Sequence, residues 1–240
     1  MIPYIQFNNL KSTDFDLFVA EKGSYIGACR DIQKISIPGK NGDLIIDNGK
    51  YNNVKVSYKL SVINKTFTSF GELTRKIKAW LCKSTNYYVL TDSYEPEYFR
   101  YASFDGEINP QQEFLQGGNI SINFDCKPFK YSFQGQEIVQ LNSPGTITNP
   151  EEFPSKPLIK IYGNGNITLN INNDSFNLKN INEFITLDFD LLMAYKNLEN
   201  LNKNVSGTDM TSFDFKPGDN QISWNGSVAK IEIIPRWCCL

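Results

Sequence analysis

Apolar and polar side chains alternate along much of this chain. Val54, Val56, Tyr58, Leu60 and Val62 fall on one side of a stretch whose other side carries Lys55, Ser57, Lys59 and Ser61. A period of two predicts a strand with one buried face and one wet face. Ile120, Ile122 and Phe124 repeat the pattern, with Ser121 and Asn123 opposite. Residues 87–91 and 98–104 are further strand candidates, rich in aromatic side chains that suit a pleated surface. Ile35-Ser36-Ile37 is a short one that runs into Pro38-Gly39-Lys40-Asn41-Gly42, where Asn-Gly signals a turn because both residues tolerate positive φ. The period changes once. Phe70, Leu73, Ile77, Trp80 and Leu81 fall at helical spacing and predict a helix over 70–82. Ser69 is its expected N-cap, with Glu72 completing a capping box. Arg75, Lys76 and Lys78 lie on the other side, in turns where positive charge suits the helix dipole. The apolar stripe is expected to pack on a sheet, with a subunit contact as the alternative.

Between 134 and 156 the pattern breaks at Gly135, Ser143-Pro144-Gly145, Asn149-Pro150 and Pro154, which predicts a domain junction. Residues 137–141 retain strand character within it. Beyond it the chain is Asn-rich and alternates again. Leu158, Ile159, Ile161 and Tyr162 predict a strand ending at Gly163-Asn164-Gly165. Ile167, Leu169 and Ile171 predict the next, and Phe176 and Leu178 follow a turn at Asn173-Asp174. Residues 184–189 form another strand. Lys216-Pro217-Gly218-Asp219-Asn220 reads as a turn and Asn225-Gly226 as a hairpin turn before a last strand over 228–234. Many short strands with turn signals between them predict a β-sandwich or jelly roll. The expected organisation is therefore mainly β, with domains at 1–133 and 157–240 and a junction at 134–156.

Composition removes most chemistry. The 240 residues include no histidine, which excludes Ser-His-Asp and Cys-His catalysis and the usual zinc hydrolase sites. No phosphate loop or nucleophile elbow is present. Gly163-Asn164-Gly165 starts like a dinucleotide fingerprint but lacks the later glycine and the helix. Asp188 with Asp190, and Glu151 with Glu152, are the acid pairs to weigh for glycoside hydrolysis, and neither sits in a recognisable motif. The 24 basic and 26 acidic side chains nearly cancel, without the concentrated basic surface that gripping nucleic acid demands. Cys29, Cys82, Cys126, Cys238 and Cys239 are odd in number and contain no C-x-x-C, so reduced thiols are expected in place of a disulfide framework or zinc site. The start, MIPYIQFNNL, lacks the features of a secretory signal, and no apolar stretch approaches the roughly 20 residues that span a bilayer. No cofactor is expected. Trp224, beside the Asn225-Gly226 turn, is a candidate for stacking on a sugar if exposed and a core residue if buried.

The order of motifs resembles one family. Ile37-Pro38-Gly39-Lys40-Asn41-Gly42, the alternating strand, the helix ending Ile77-Lys78-Ala79-Trp80-Leu81, Tyr98-Phe99-Arg100-Tyr101-Ala102 and Phe124-Asp125-Cys126-Lys127-Pro128-Phe129 succeed one another as in the distal tail (Dit) proteins of siphophages. The second half, through Ile185-Thr186-Leu187-Asp188, Phe215-Lys216-Pro217-Gly218-Asp219-Asn220-Gln221-Ile222-Ser223-Trp224 and residues 231–237, is similar to that family's galectin-like domain. The resemblance implies a tube-like N-terminal β domain with one helix and a hairpin, followed by a galectin-like jelly roll. It also implies a non-enzymatic role as a hexameric ring in the virion, at the distal end of the tail. Such a ring meets the tail-tube protein on one side and the tail-associated (gp27-like) hub protein on the other. Receptor-binding or upper baseplate proteins attach laterally, and DNA passes through the lumen. A carbohydrate-binding adhesion module is the alternative. Sugar-binding galectins use His, Asn and Arg with a Trp; this chain has no His, and its second half offers only Arg236. On this reading Val54, Val56, Tyr58, Leu60, Val62, Ile120, Ile122 and Phe124 belong to the ring-forming sheet. Pro38, Gly39, Lys40, Asn41 and Gly42 then lie near the tube-facing surface.

Overall fold

The structure is a computed structural model that describes residues 2–22, 26–63, 66–67, 69–83, 85–108, 110–114 and 117–240, with the side chains of 112–114 excepted. The chain divides into two compact units, Met1–Lys130 with Leu240, and Tyr131–Cys239. Each has its own core.

In the first unit the strands run in the order Leu10–Lys11, Ile5–Phe7, Tyr88–Asp92, Tyr98–Phe104, Gly117–Ser132, Val54–Ile63, Leu17–Lys22. The alternation predicted for residues 54–62 and 120–124 is realised as one antiparallel ladder, with Leu60 opposite Ile120, Tyr58 opposite Ile122 and Val56 opposite Phe124. Facing pairs share a side of the sheet. Leu60, Val62, Ile122 and Phe124 therefore turn inward together, where Leu73, Ile77 and Leu81 of the helix Phe70–Cys82 meet them. Ser69 caps that helix by accepting the Glu72 amide at 3.1 Å. Trp80 donates its indole N–H to the Phe7 carbonyl at 3.0 Å and stacks on Phe15, so its polar tip is satisfied inside the core. The helical stripe thus packs on the sheet.

The second unit departs from its sequence reading at two of the expected glycine turns. Leu158–Ile171 and Gly218–Ile234 are continuous strands of 14 and 17 residues that pair along most of their lengths. Register shifts at Tyr162/Gly163 and Asn164/Thr168 bend the pair. Gly163-Asn164-Gly165 and Asn225-Gly226 are thus corners of long strands and not hairpin ends. At the corner the two backbones nearly touch: a Cβ on Gly163 would lie 2.3 Å from the Ser227 carbonyl oxygen and 2.8 Å from Ile167 Cδ1. Gly163→Ala should cost about 1–3 kcal/mol, the range for overpacking, read as a lower denaturation midpoint of this unit.

The bend lets each long strand serve two sets of neighbours. Phe184–Asp188 pairs with the first half of Leu158–Ile171, and Asp174–Ile181 with the second half. The expected junction at 134–156 also needs correction. Val139–Leu141 and Gly145–Asn149 both pair with Gly218–Ile234, so this segment is built into the second unit's sheet. Pro144, Gly145 and Pro150 sit at the ends of Gly145–Asn149, where a missing N–H does no harm. Phe176, Phe189, Phe213 and Phe215 fill the centre with tilted and edge-on ring contacts.

Candidate assembly surface

One element of the first unit lies outside both cores. Arg30–Ser36 and Asp43–Tyr51 form a two-stranded antiparallel sheet of their own. The turn between them is closed by the Lys40 amide on the Ile37 carbonyl, with Gly39 and Gly42 both at positive φ. At the base, the Asn52 amide reaches the Cys29 carbonyl, and Tyr51 sets its ring against Phe129. Arg30 lies over the Tyr51 ring and pairs with Asp47 at 2.7 Å.

The register decides which side chains share a face. Ile35 lies opposite Leu44, and Gln33 opposite Ile46; Ile32 faces Asp47 and Ile45 faces Lys34. One face therefore carries Ile35, Leu44 and Ile46, and the other mixes Ile32 and Ile45 with charge. All five are exposed, Ile45 by 60% and Leu44 by 46%. An isolated two-stranded sheet is marginal in water, and clustered apolar exposure marks a surface that gets covered. Sequence reading found only the turn and residues 35–37. Leu44-Ile45-Ile46 gives no period of two, and this unbroken apolar run between Asp43 and Asp47 was the available signal.

The residues singled out from sequence fall on several elements of the two units. Val54, Tyr58, Leu60, Val62, Ile120, Ile122 and Phe124 are buried in the first unit, and Val56 packs partly against the same core. Their side chains pack into the interior of the first unit. The outward positions are polar and mutually satisfied. Ser57 donates to Asn123 at 2.7 Å and Ser61 to Asn119 at 3.1 Å, while Lys59 pairs with Glu21 and Lys55 with Asp105. Pro38, Gly39, Lys40, Asn41 and Gly42 are all exposed at the hairpin tip. Trp224 is half-buried, opposite Leu169 and packed against the second core, so packing engages much of the ring considered for sugar stacking.

The acid pairs are not arranged as a glycosidase pair. Asp188 is buried, holds Arg236 in a two-pronged contact at 2.7 and 3.0 Å, and accepts the amides of Asp190 and Leu191. Burial works against its charge, but the Arg236 hydrogen bond and those amides hold its carboxyl below the usual range. Glu151 and Glu152 follow a turn capped by Asn149. A second ionic cluster escaped sequence reading because its members are far apart in the chain. Glu95 bridges Lys22 at 3.1 Å and Lys130 at 2.8 Å, and Tyr58 donates to Asp92 at 2.7 Å. Burial pushes the Cys126 and Cys238 thiols up to about 12, which leaves them protonated at neutral pH. Among the described residues no three His, Cys, Asp or Glu are placed to hold a metal ion.

Comparison with known proteins identifies the fold and the family. No curated protein matches the chain. Among solved structures, the Dit protein of phage SPP1, described as a paradigm of hub adsorption apparatus in phages that infect Gram-positive hosts, superposes with a TM-score of 0.76. It shares 13% identity over 100% of both chains. Chains of the phage p2 baseplate in its activated conformation, with calcium or with strontium, superpose with a TM-score of 0.51 at 10% and 9% identity over 97% of each chain. These likenesses establish a shared fold. A family model described as a phage tail protein RIFT-related domain matches residues 5–126, the segment that holds the hairpin, the helix and the Val54–Ile63 strand. The chain therefore belongs to the phage tail protein family defined by that domain.

Proposed function

We propose that this chain is a structural hub protein of a phage tail, six copies of which close into a ring through the first unit at the distal end of the tail. The observation that carries the proposal is the hairpin of Arg30–Ser36 and Asp43–Tyr51, whose Ile35, Leu44 and Ile46 share one face and are exposed among the described residues. In a ring, each hairpin is covered by the next copy, and a repeated heterologous contact closes on itself. The ring stands between the tail-tube protein and the tail-associated hub protein, with receptor-binding or baseplate proteins at its side. The protein acts as a conduit and not as an enzyme.

The outward face of the Val54–Ile63 and Gly117–Ser132 pair suits a wall past which DNA slides. Its side chains are short, polar and already hydrogen-bonded across the strands, and Lys55 and Lys59 are neutralised by acids. Such a wall has few free cations to retain phosphate. Electron microscopy of the purified chain should show closed six-fold rings with an open centre. Material that stays monomeric at high concentration, together with tails that lack such a ring, would refute the proposal.

A further inference from the structure

We propose that Asn41-Gly42, at the tip of the hairpin, is a site of spontaneous deamidation, a covalent change the chain makes to itself with water as the only co-reactant. The Gly42 backbone nitrogen attacks the side-chain carbonyl carbon of Asn41. A C–N bond forms, the bond to the side-chain nitrogen breaks, and that nitrogen leaves as ammonia with the proton the amide gives up. Water then opens the cyclic imide at either carbonyl, which leaves aspartate or isoaspartate at position 41. Nothing is oxidised or reduced.

Two local conditions govern the rate. The amide must be able to lose its proton, and the peptide after Asn must rotate until its nitrogen reaches the side chain. Glycine favours the reaction because no Cβ crowds the approach. The chain has four Asn-Gly pairs, at 41–42, 48–49, 164–165 and 225–226. The dipeptide alone ranks them alike, and the fold does not.

Three pairs are restrained. The Gly49 amide donates to Asp47 Oδ1 at 2.9 Å, and a carboxylate acceptor opposes loss of that proton. Asn164 lies opposite Ser227 within Leu158–Ile171, and its side-chain oxygen accepts the Glu183 amide at 3.0 Å. Asn225 lies opposite Thr168 within Gly218–Ile234, and a Cβ on Gly226 would lie 2.5 Å from the Asn166 carbonyl oxygen. Neither of these last two peptides can rotate without disturbing a ladder.

Asn41-Gly42 is not held in this way. It lies between the paired strands of the hairpin, and both residues are exposed. Among the described residues, neither the Asn41 side chain nor the Gly42 amide meets a hydrogen-bond partner. Gly42 has a φ of 84°, and a Cβ there would meet nothing within 4 Å. The hairpin pairs with no third strand among the described residues, so its tip rotates at little cost. The product adds a negative charge between Lys40 and Asp43, and the isoaspartyl form also lengthens the backbone of the turn. The proposal concerns the single chain and does not depend on ring formation.

The test incubates the full chain in mildly alkaline buffer and follows each Asn-Gly peptide by mass spectrometry, beside a sample kept unfolded in guanidinium chloride. In the folded chain Asn41 should convert on the order of tenfold faster than Asn48, Asn164 or Asn225, and in the unfolded chain the four should agree within about threefold. Aspartate and isoaspartate should both accumulate at position 41, and hydroxylamine should cleave the chain there by trapping the imide. Any other pair that matches or outpaces Asn41 in the folded chain would overturn the proposal, as would aspartate formed without isoaspartate. A tenfold lead that persists in guanidinium chloride would also do so, because it would then come from local sequence and not from the fold.

Discussion

Ile35→Asp combined with Leu44→Asp should give a folded chain that sediments as a monomer at concentrations where the wild type forms rings. The two side chains face each other on the more apolar side of the hairpin and belong to neither core. Covering each in an interface contributes about 1.5–3 kcal/mol. Losing both, and asking the interface to bury two carboxylates in their place, removes at least two orders of magnitude from each subunit contact. The contact repeats at every step around a ring, so the ring is expected to vanish and not merely to loosen. The thermal midpoint of the chain should stay within a few degrees of wild type, because no buried group is touched. Lys34→Glu, on the opposite face beside Ile45, should have a smaller effect on assembly. Rings that persist in the double variant would remove the hairpin from the interface.

Arg236→Ala should be among the most damaging single changes in the second unit, costing about 3–5 kcal/mol. The Asp188 side chain is only 3% exposed, and the guanidinium is its partner for both oxygens. Removing the cation strands a buried carboxylate that must still hold the Asp190 and Leu191 amides in the turn after Phe184–Asp188. Arg236 itself sits at a φ of 57° and its amide donates to the Gly135 carbonyl. That backbone bond survives the substitution, so the loss is confined to the side-chain contacts. Replacing both members of the pair, with Asp188→Leu, should recover part of the loss, limited by the two amides left without an acceptor.

The same pair gives the second unit an acid sensitivity of known sign. The folded carboxyl of Asp188 is held below its unfolded value of roughly 3.9. Its contribution is therefore complete above about pH 4 and is lost as pH falls through the folded value. Denaturation midpoints measured at pH 7 and pH 3 should differ less in Arg236→Ala than in wild type. An equal difference in the two proteins would show that other carboxylates carry the acid response.

The local periodicities were enough to place the strands at 54–62 and 120–124, the helix at 70–82 and its Ser69 cap, because a strand with one wet face and an amphipathic helix each write their geometry into adjacent residues. The absence of histidine and of a basic cluster also narrowed the chemistry before any coordinates. Three features needed the folded chain. Whether Gly163-Asn164-Gly165 ends a strand or bends one depends on the Ser227 backbone, 64 residues away, which no local pattern reports. The Arg236–Asp188 and Lys22–Glu95–Lys130 contacts join residues that are remote in sequence. Finally, the alternation that marked Leu60, Ile122 and Phe124 as special could not say whether they face a neighbour or a core. A period of two records that one face avoids water, and only the packed helix above them reveals what excludes it. An exposed apolar face also belongs to Ile35, Leu44 and Ile46, visible once the hairpin is seen to pair with nothing but itself among the described residues.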